Sequence, residues 1–280
     1  MTVYPLTFSI GSLTITGYGL MMMVGFLVAG WTIQRHLRQR QLNEDYAADI
    51  VVAAVIGGIL GAKLWYVGLT QDMGALFSRG GLVWYGGFLG GVAGVAFNSI
   101  WKKVPVRLTM DLCAPAVAVG YAMGRVGCFM VQDDYGIPTN LPWGMKFPEG
   151  LPASTAQNLN AQFGVPIPEG VSSFELLAVH PTQLYEVTIM MLIFLLLWRL
   201  RFHRKGTGWL MGLYLVLAGL ERFGIELLRA KDDRIFGAFT IAQVTSLALV
   251  LAGLVIMAWL NNAERANIPP NASVLNPRTR

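Results

Sequence analysis

Three charged residues near the end of the chain share one face of a strongly apolar segment. Arg222, Glu226 and Arg229 are spaced i, i+4 and i+7, so a helix places them in one row. A guanidinium group offers a planar fork of donors that fits a phosphate or a carboxylate. Glu226 is able to pair with either arginine and to leave the other for an anionic ligand. The alternative for this row is an ion pair that only fixes helix packing.

Other ionisable residues also lie in or beside apolar segments. Charged groups within membrane-length segments are costly and usually mark a function. Lys63 is the exception, because its long side chain is able to extend to the membrane surface. The full set comprises Lys63, Arg125, Glu186, Glu221, Arg222 and Glu226 within segments, with Asp111, His180 and Arg229 at segment ends.

The composition explains why these charges stand out. Hydrophobic residues make up 54% of the 280 residues and charged residues only 13%, against about 25% in soluble proteins. The apolar runs do not alternate and are about 20 residues long, which indicates membrane-spanning helices. The sequence therefore predicts an all-α integral membrane protein with seven transmembrane helices, at 16–34, 48–69, 82–101, 111–131, 180–200, 208–228 and 237–260.

The basic residues predict how the chain crosses the membrane. Most Lys and Arg residues fall in the first, third and fifth loops and in the C-terminal tail. Cytoplasmic loops carry such an excess, so the N-terminus is expected outside and the C-terminus inside. This pattern accounts for the net charge of +5 without a nucleic-acid partner. No basic residue precedes Arg35, so we expect the first segment to be retained as a span and not cleaved as a signal peptide.

The predicted orientation places most of the unusual polar groups at one depth, in the outer leaflet. Two or three cations at that depth suit the headgroup of a phospholipid. Asp111 is expected at the cytoplasmic side. The outer-leaflet set contains Arg125, His180, Tyr185, Glu186, Arg222, Glu226 and Arg229, together with Tyr18 and Tyr85.

The chain divides into four parts by composition. Residues 1–131 hold the first four spans and residues 180–260 the last three. Residues 132–179 contain six prolines and several aromatic residues, which predicts a small periplasmic cap. The polar tail, 261–280, is expected to be disordered. Cys113 and Cys128 form neither a disulfide framework nor a metal site.

Five sequence blocks resemble a known family, the bacterial prolipoprotein diacylglyceryl transferases. The blocks occur in the family's order and cover nearly the whole chain. They are GYGLMMMVGF (17–26), GLVWYGGFLGG (81–91), GRVGCFMVQDDYG (124–136), HPTQLYE (180–186) and ERFGIELLR (221–229).

The resemblance implies a reaction and a location. The family transfers the diacylglyceryl group of phosphatidylglycerol to the lipobox cysteine thiol of a prolipoprotein, the first step of bacterial lipoprotein maturation. The site faces the periplasm, in the inner membrane. The substrates implied are phosphatidylglycerol and the signal peptides of prolipoproteins, and the family uses no cofactor or metal.

The resemblance also implies residue roles. Arg125 is expected to bind the lipid phosphate and Arg222 to bind the headgroup and stabilise charge. Tyr18 and Tyr85 complete the expected catalytic set. The expected substrate-binding set is Arg125, Cys128, Asp133, Gly136, His180, Glu186, Arg222, Glu226 and Arg229.

The chain departs from the family pattern at several positions. Tyr85 replaces a histidine often regarded as the base, and a phenol with an ordinary pKa of about 10 is a poor base near pH 7. Tyr85 is able instead to hydrogen-bond the headgroup. The thiol proton then passes to another group, or the nearby arginines lower the pKa of the thiol. Cys128 and Val131 replace two signature asparagines, and Asp133 replaces a glutamate.

Two alternatives follow from these departures and from the composition. One is a related transferase with a different acceptor or lipid. The other is a non-catalytic lipid carrier or channel, which usually needs a polar path reaching both sides of the membrane. The nearly charge-free inner half of the predicted spans disfavours the second alternative.

Overall fold

The computed structural model describes residues 1–10, 13–77, 81, 83–167, 169–229, 234–235, 239–263 and 272–276. Within these ranges the fold is a bundle of seven long helices. They are α1 (Gly17–Gln39), α2 (Tyr46–Thr70), α3 (Trp84–Trp101), α4 (Val106–Met130), α6 (Thr182–Leu200), α7 (Trp209–Glu226) and α8 (Ile241–Leu260). A short helix, α5 (Ala156–Phe163), lies between α4 and α6. Two small hairpins pair β1 (Thr7–Ile10) with β2 (Leu13–Thr16) and β3 (Arg234–Ile235) with β4 (Phe239–Thr240).

Five of the described helices, α1, α2, α4, α6 and α8, are long and apolar enough to cross a membrane. The all-helical prediction is therefore confirmed, with five helices able to span a membrane, and the seven-span topology stays a prediction. Each of the seven predicted spans overlaps one long helix. The fourth begins earlier than predicted, at Val106, because the charge of Asp111 made the apolar run look shorter than the helix.

Helix α4 lies at the centre of the bundle and packs against α1, α6 and α7. One of its faces carries alanines at four-residue spacing, which allows close approach of neighbouring helices. This face is buried against α6 and α7 in a cluster that contains Ala114, Ala118, Ala122, Met190, Ile193, Leu197, Leu210 and Tyr214. The same packing holds the last turns of α4 against the start of α6 and the end of α7.

Glycines bring α2 and α3 into backbone contact. A methyl group added at Gly61 would lie 2.7 Å from the Cα atom of Gly90. We therefore expect Gly61→Ala to lower the free energy of unfolding by about 1–3 kcal/mol through overpacking. Thermal unfolding in detergent measures this loss.

Gly58→Ala is the matched control on the same helix, because a methyl group there would lie 3.5 Å from its nearest neighbour, the carbonyl oxygen of Gly87. An equal melting temperature for the two variants would contradict the close-packing argument.

The described residues between α4 and α6 form a small unit around an apolar cluster. Tyr135, Phe147, Leu159 and Val179 are buried there, and the rings of Tyr135 and Phe147 stack with centroids 5.4 Å apart. Burial raises the pKa of the Tyr135 hydroxyl, which donates a hydrogen bond to the carbonyl oxygen of Pro152. This unit connects the end of α4 to the start of α6.

Part of the C-terminal tail, for which the composition predicts disorder over 261–280, packs against the bundle. Ser273–Leu275 forms one 3-10 turn. Leu275 is buried against Leu37 and Tyr46, and its carbonyl oxygen accepts a hydrogen bond from the backbone of Asn43. A few apolar side chains anchor this stretch, and average composition does not reveal them. The tail residues 264–271 and 277–280, including Arg265, Arg278 and Arg280, lie outside the described residues.

Candidate active site

Glu186 lies between two arginines that come from different helices. It is in the first turns of α6, with none of its surface exposed. Its Oε2 atom is 3.0 Å from Nε of Arg125, on α4. Its Oε1 atom is 3.6 Å from a terminal nitrogen of Arg222, on α7. The structure thus brings Arg125 and Arg222 to one buried carboxylate.

The remaining ion pairs close a ring. Arg222 lies 2.7 Å from Oε2 of Glu226, which is also 4.0 Å from Nε of Arg229. Asp134 pairs with Arg229 on one side and, at 2.8 Å, with Arg125 on the other. Three guanidinium groups and three carboxylates therefore alternate around the ion-pair ring, which consists of Arg125, Glu186, Arg222, Glu226, Arg229 and Asp134.

The ring changes one expectation from the sequence. By its spacing Glu226 is able to pair with one arginine and leave the other for a ligand, but in the structure each arginine of the ion-pair ring has two carboxylate partners. The reason is that Asp134 and Glu186 supply two further carboxylates from outside α7.

Tyr121 supports the ring from within α4, one turn before Arg125. Its hydroxyl donates a hydrogen bond to Oε1 of Glu186 at 3.0 Å and accepts one from Arg125 at 3.3 Å. Tyr121 was not among the predicted site residues. Its spacing of four residues from Arg125 was the available signal.

Asp134, and not Asp133, is the acidic residue that contacts the arginines. Asp133 instead accepts a hydrogen bond from the backbone N–H of Asp134 at 2.8 Å. Gln132 and Asp134 have left-handed backbone angles, with φ of 62° and 65°, and these turns direct the second aspartate back toward the helix ends. The sequence block assigns Asp133 to substrate binding and does not single out Asp134, because linear spacing does not reveal such turns.

The two aspartates have opposite pKa shifts. Burial alone would raise the pKa of Asp134, but the guanidinium groups of Arg229 and Arg125 outweigh burial and lower it. Burial raises the pKa of Asp133, and the neighbouring charge of Asp134 raises it further. Asp134 is thus held as an anion in the ring.

Gly136 and His180 join residues 132–179 to α6. The N–H of Gly136 donates to the carbonyl oxygen of His180 at 2.8 Å, and a methyl group at Gly136 would lie 2.8 Å from Cβ of His180. Burial lowers the pKa of His180, whose Nδ1 atom lies 3.2 Å from the hydroxyl of Tyr185. The contacts described for these two residues fix the position of the chain beside the ring.

Cys128 lies beside the ring, with its Sγ atom 3.8 Å from a terminal nitrogen of Arg125. Tyr18, at the start of α1, packs on the same turn of α4, where a methyl group at Gly127 would lie 3.2 Å from the Cα atom of Tyr18. Tyr85, on α3, is not joined to the ion-pair ring by any polar contact of the described residues. It is 41% exposed, and its aromatic side chain contacts Trp84.

Glu221 is a further buried carboxyl group near the ion-pair ring. It precedes Arg222 on α7, and only 6% of its surface is exposed. Neither of its carboxyl oxygens has a hydrogen-bond partner among the described residues. It lies within electrostatic range of Glu186, Arg125 and Arg222. Buried polar groups without partners are rare in folded proteins and often mark functional sites.

Asp111 lies at the other end of α4 from Arg125. Its Oδ1 atom accepts a hydrogen bond from the backbone of Leu210 at 3.1 Å, and its Oδ2 atom is 3.3 Å from His203. Across the described parts of the chain, no group of three His, Cys, Asp or Glu side chains is arranged to hold a metal ion.

An open apolar groove of about 560 Å³ runs between α2 and α3. None of its lining residues belongs to the ion-pair ring. They are Gly61, Leu64, Trp65, Gly68, Leu69, Gly86, Leu89, Gly90 and Ala93.

Comparison with known proteins decides the family. The model of the prolipoprotein diacylglyceryl transferase family matches residues 5–259. The chain belongs to this family. The resemblance found in the five sequence blocks is therefore confirmed over most of the chain.

Three bacterial relatives illustrate the distance within the family, and all are named phosphatidylglycerol–prolipoprotein diacylglyceryl transferase. The protein of Stenotrophomonas maltophilia is 31% identical, over 92% of this chain and 92% of its own. The protein of Geobacter sulfurreducens is 30% identical, over 93% of this chain and 96% of its own. The protein of Trichormus variabilis is 33% identical, over 93% of this chain and 91% of its own.

Proposed function

We propose that this protein transfers the diacylglyceryl group of phosphatidylglycerol to the lipobox cysteine thiol of prolipoproteins. Family membership supports the reaction class. The observation that carries the proposal for this chain is the convergence of Arg125 and Arg222 on the buried carboxylate of Glu186. Nothing in the fold or the relatives favours a carrier or a different acceptor.

The reaction is a displacement at carbon. The thiolate sulfur attacks the carbon of the diacylglyceryl group that bears the phosphate, a carbon–sulfur bond forms, and the bond from this carbon to the phosphate oxygen breaks. Glycerol phosphate leaves with the bonding electrons and, in the net reaction, takes up the proton that the thiol loses. Guanidinium groups held in a low-dielectric site stabilise the negative charge that grows on the leaving phosphate.

The predicted site residues divide into two groups in this proposal. Arg125 binds the phosphate, Arg222 binds the headgroup and stabilises charge, and Arg229 adds a third cation. Their ion pairs with Glu186 and Glu226 favour these roles. The assignments of Tyr18 and Tyr85 to catalysis, and of Cys128, Asp133, Gly136 and His180 to substrate binding, stay predictions.

We also propose the placement of the site in the bacterial inner membrane. All seven long helices span it, with the N-terminus in the periplasm and the C-terminus in the cytoplasm, as the basic loops favour. The ion-pair ring then lies in the outer leaflet beneath a periplasmic cap formed by 132–179. Phosphatidylglycerol enters laterally, and the signal-peptide helix enters through a second lateral opening.

The test uses the purified full-length protein in detergent micelles with labelled phosphatidylglycerol and a peptide that contains a lipobox cysteine. We expect a thioether-linked diacylglyceryl group on the cysteine and release of glycerol phosphate, both detected by mass spectrometry. A peptide with serine at that position is the control. Absence of any thioether product from the folded protein would overturn the proposed function.

A further inference from the structure

Asp134 differs from the other two carboxylates of the ion-pair ring in its exposure. Its side chain is 31% exposed, whereas those of Glu186 and Glu226 are 0% and 1% exposed. Glu186 and Glu226 lie on helices, but Asp134 lies in the chain that follows α4. Asp134 is therefore the ring carboxylate that a ligand reaches first.

The carboxylate of Asp134 spans two guanidinium groups from separate parts of the fold. Its Oδ2 atom accepts from Arg125 and its Oδ1 atom accepts from Arg229. Like the carboxylate, the phosphodiester of a phospholipid carries one negative charge that is shared by two oxygens, its non-bridging oxygens. The two groups thus fit the same pair of arginines.

The backbone of Asp134 is fixed independently of its side chain. Its carbonyl oxygen accepts a hydrogen bond from the hydroxyl of Thr182 at 2.8 Å, and the carbonyl oxygen of Asp133 accepts one from the side chain of Gln183. Because these bonds hold only the main chain, the carboxylate is able to change rotamer while the chain stays in place.

The charges of the ring require such a change. Three carboxylates already balance three guanidinium groups, and Glu221 adds a fourth carboxyl nearby. A phosphodiester brought into this low-dielectric site adds a further negative charge, which is costly unless a carboxylate withdraws. Asp134 has a partly exposed side chain, unlike Glu186 and Glu226.

We propose that the carboxylate of Asp134 occupies the place between Arg125 and Arg229 that the lipid phosphate takes, and that headgroup binding displaces it. Asp134 is then an internal competitor that sets the affinity for anionic headgroups. This inference rests on the proposed function, because it assumes that these arginines bind the lipid phosphate. Asp134 acts through the arginines and is a positioning residue.

The test compares the full-length wild-type protein with Asp134→Asn in detergent micelles, without peptide. Equilibrium binding of fluorescent phosphatidylglycerol is the readout, with fluorescent diacylglycerol as the uncharged probe. We expect Asp134→Asn to bind phosphatidylglycerol about tenfold more tightly, because one charge-assisted competitor for the arginines is lost. It should bind diacylglycerol as the wild type does. Asp134→Glu, which keeps the charge, is expected to show no such gain.

Asp49→Asn is the matched control, because it removes an aspartate that pairs with Lys102 away from the ring. It should leave phosphatidylglycerol binding unchanged. Equal or weaker binding by folded Asp134→Asn would overturn the proposal and assign Asp134 to holding the arginines. The transfer assay is a separate readout, so an absent thioether product would refute the proposed function without altering this comparison.

Discussion

Replacing Arg125 with alanine is expected to reduce diacylglyceryl transfer by about a hundred- to a thousandfold, the usual effect of removing one donor that stabilises developing charge. Arg125 is 14% exposed and pairs with both Glu186 and Asp134. Its loss removes one of the two guanidinium groups that pair with Asp134 in the chain after α4. The rate of thioether formation at saturating peptide measures the effect.

Two further variants make the Arg125 result specific. Arg125→Lys keeps the charge but not the planar fork, so we expect activity between those of the wild type and Arg125→Ala. Arg38→Ala removes an exposed arginine that pairs with Glu44 and should retain full activity. Full activity of a folded Arg125→Ala protein would refute the phosphate-binding role of Arg125.

Replacing Glu186 with leucine is expected to lower the free energy of unfolding by about 3–5 kcal/mol, the cost of leaving buried charges without their partner. Glu186 is fully buried and contacts Arg125, Arg222 and the hydroxyl of Tyr121. Its removal leaves two guanidinium groups in a low-dielectric site with one carboxylate partner each. Thermal unfolding in detergent, followed by circular dichroism, measures the loss.

The control for Glu186 is an exposed ion pair. Glu44→Gln weakens the contact with Arg38, where the two side chains are 27% and 57% exposed, so we expect a loss of at most about 1 kcal/mol. Equal melting temperatures for Glu186→Leu and Glu44→Gln would contradict the stabilising role of Glu186 in the ion-pair ring.

The sequence predicted the helices well because hydropathy controls where a chain enters a bilayer. Each predicted span overlaps one long helix, from α1 to α8 with the short α5 excluded. Within the site, the sequence also singled out Arg125, Glu186 and Arg222, because charged residues in apolar runs are conspicuous. The structure then showed that these three are in contact.

The sequence did not predict the contacts that depend on turns or on distant packing. Asp134, which the sequence did not single out, reaches the arginines because two left-handed residues redirect the chain after α4. Tyr121 resembles a core aromatic in sequence, and only the approach of α6 shows that its hydroxyl reaches Glu186. Tyr85 lies in a conspicuous motif, yet its described ring contact is with its neighbour Trp84 on α3.

The ion-pair ring gives these residues one physical role. Arg125 comes from α4, Glu186 from α6 and Arg222 from α7, so the ring fastens three helices at one end of the bundle. A site held from three sides changes little when charge develops on a ligand, and such preorganisation is what makes fixed donors effective. The same contacts therefore stabilise the fold and, in the proposed function, prepare the cations for an anionic substrate.

The central claim is that these arginines hold the lipid phosphate, and a structure of the protein in nanodiscs containing phosphatidylglycerol tests it most directly. We predict phosphate oxygens within about 3 Å of the guanidinium groups of Arg125 and Arg229, with Arg222 beside the headgroup and Asp134 turned away. A headgroup bound elsewhere, for example beside Trp65 and Leu89 in the groove between α2 and α3, with the six ion pairs unchanged, would contradict the claim.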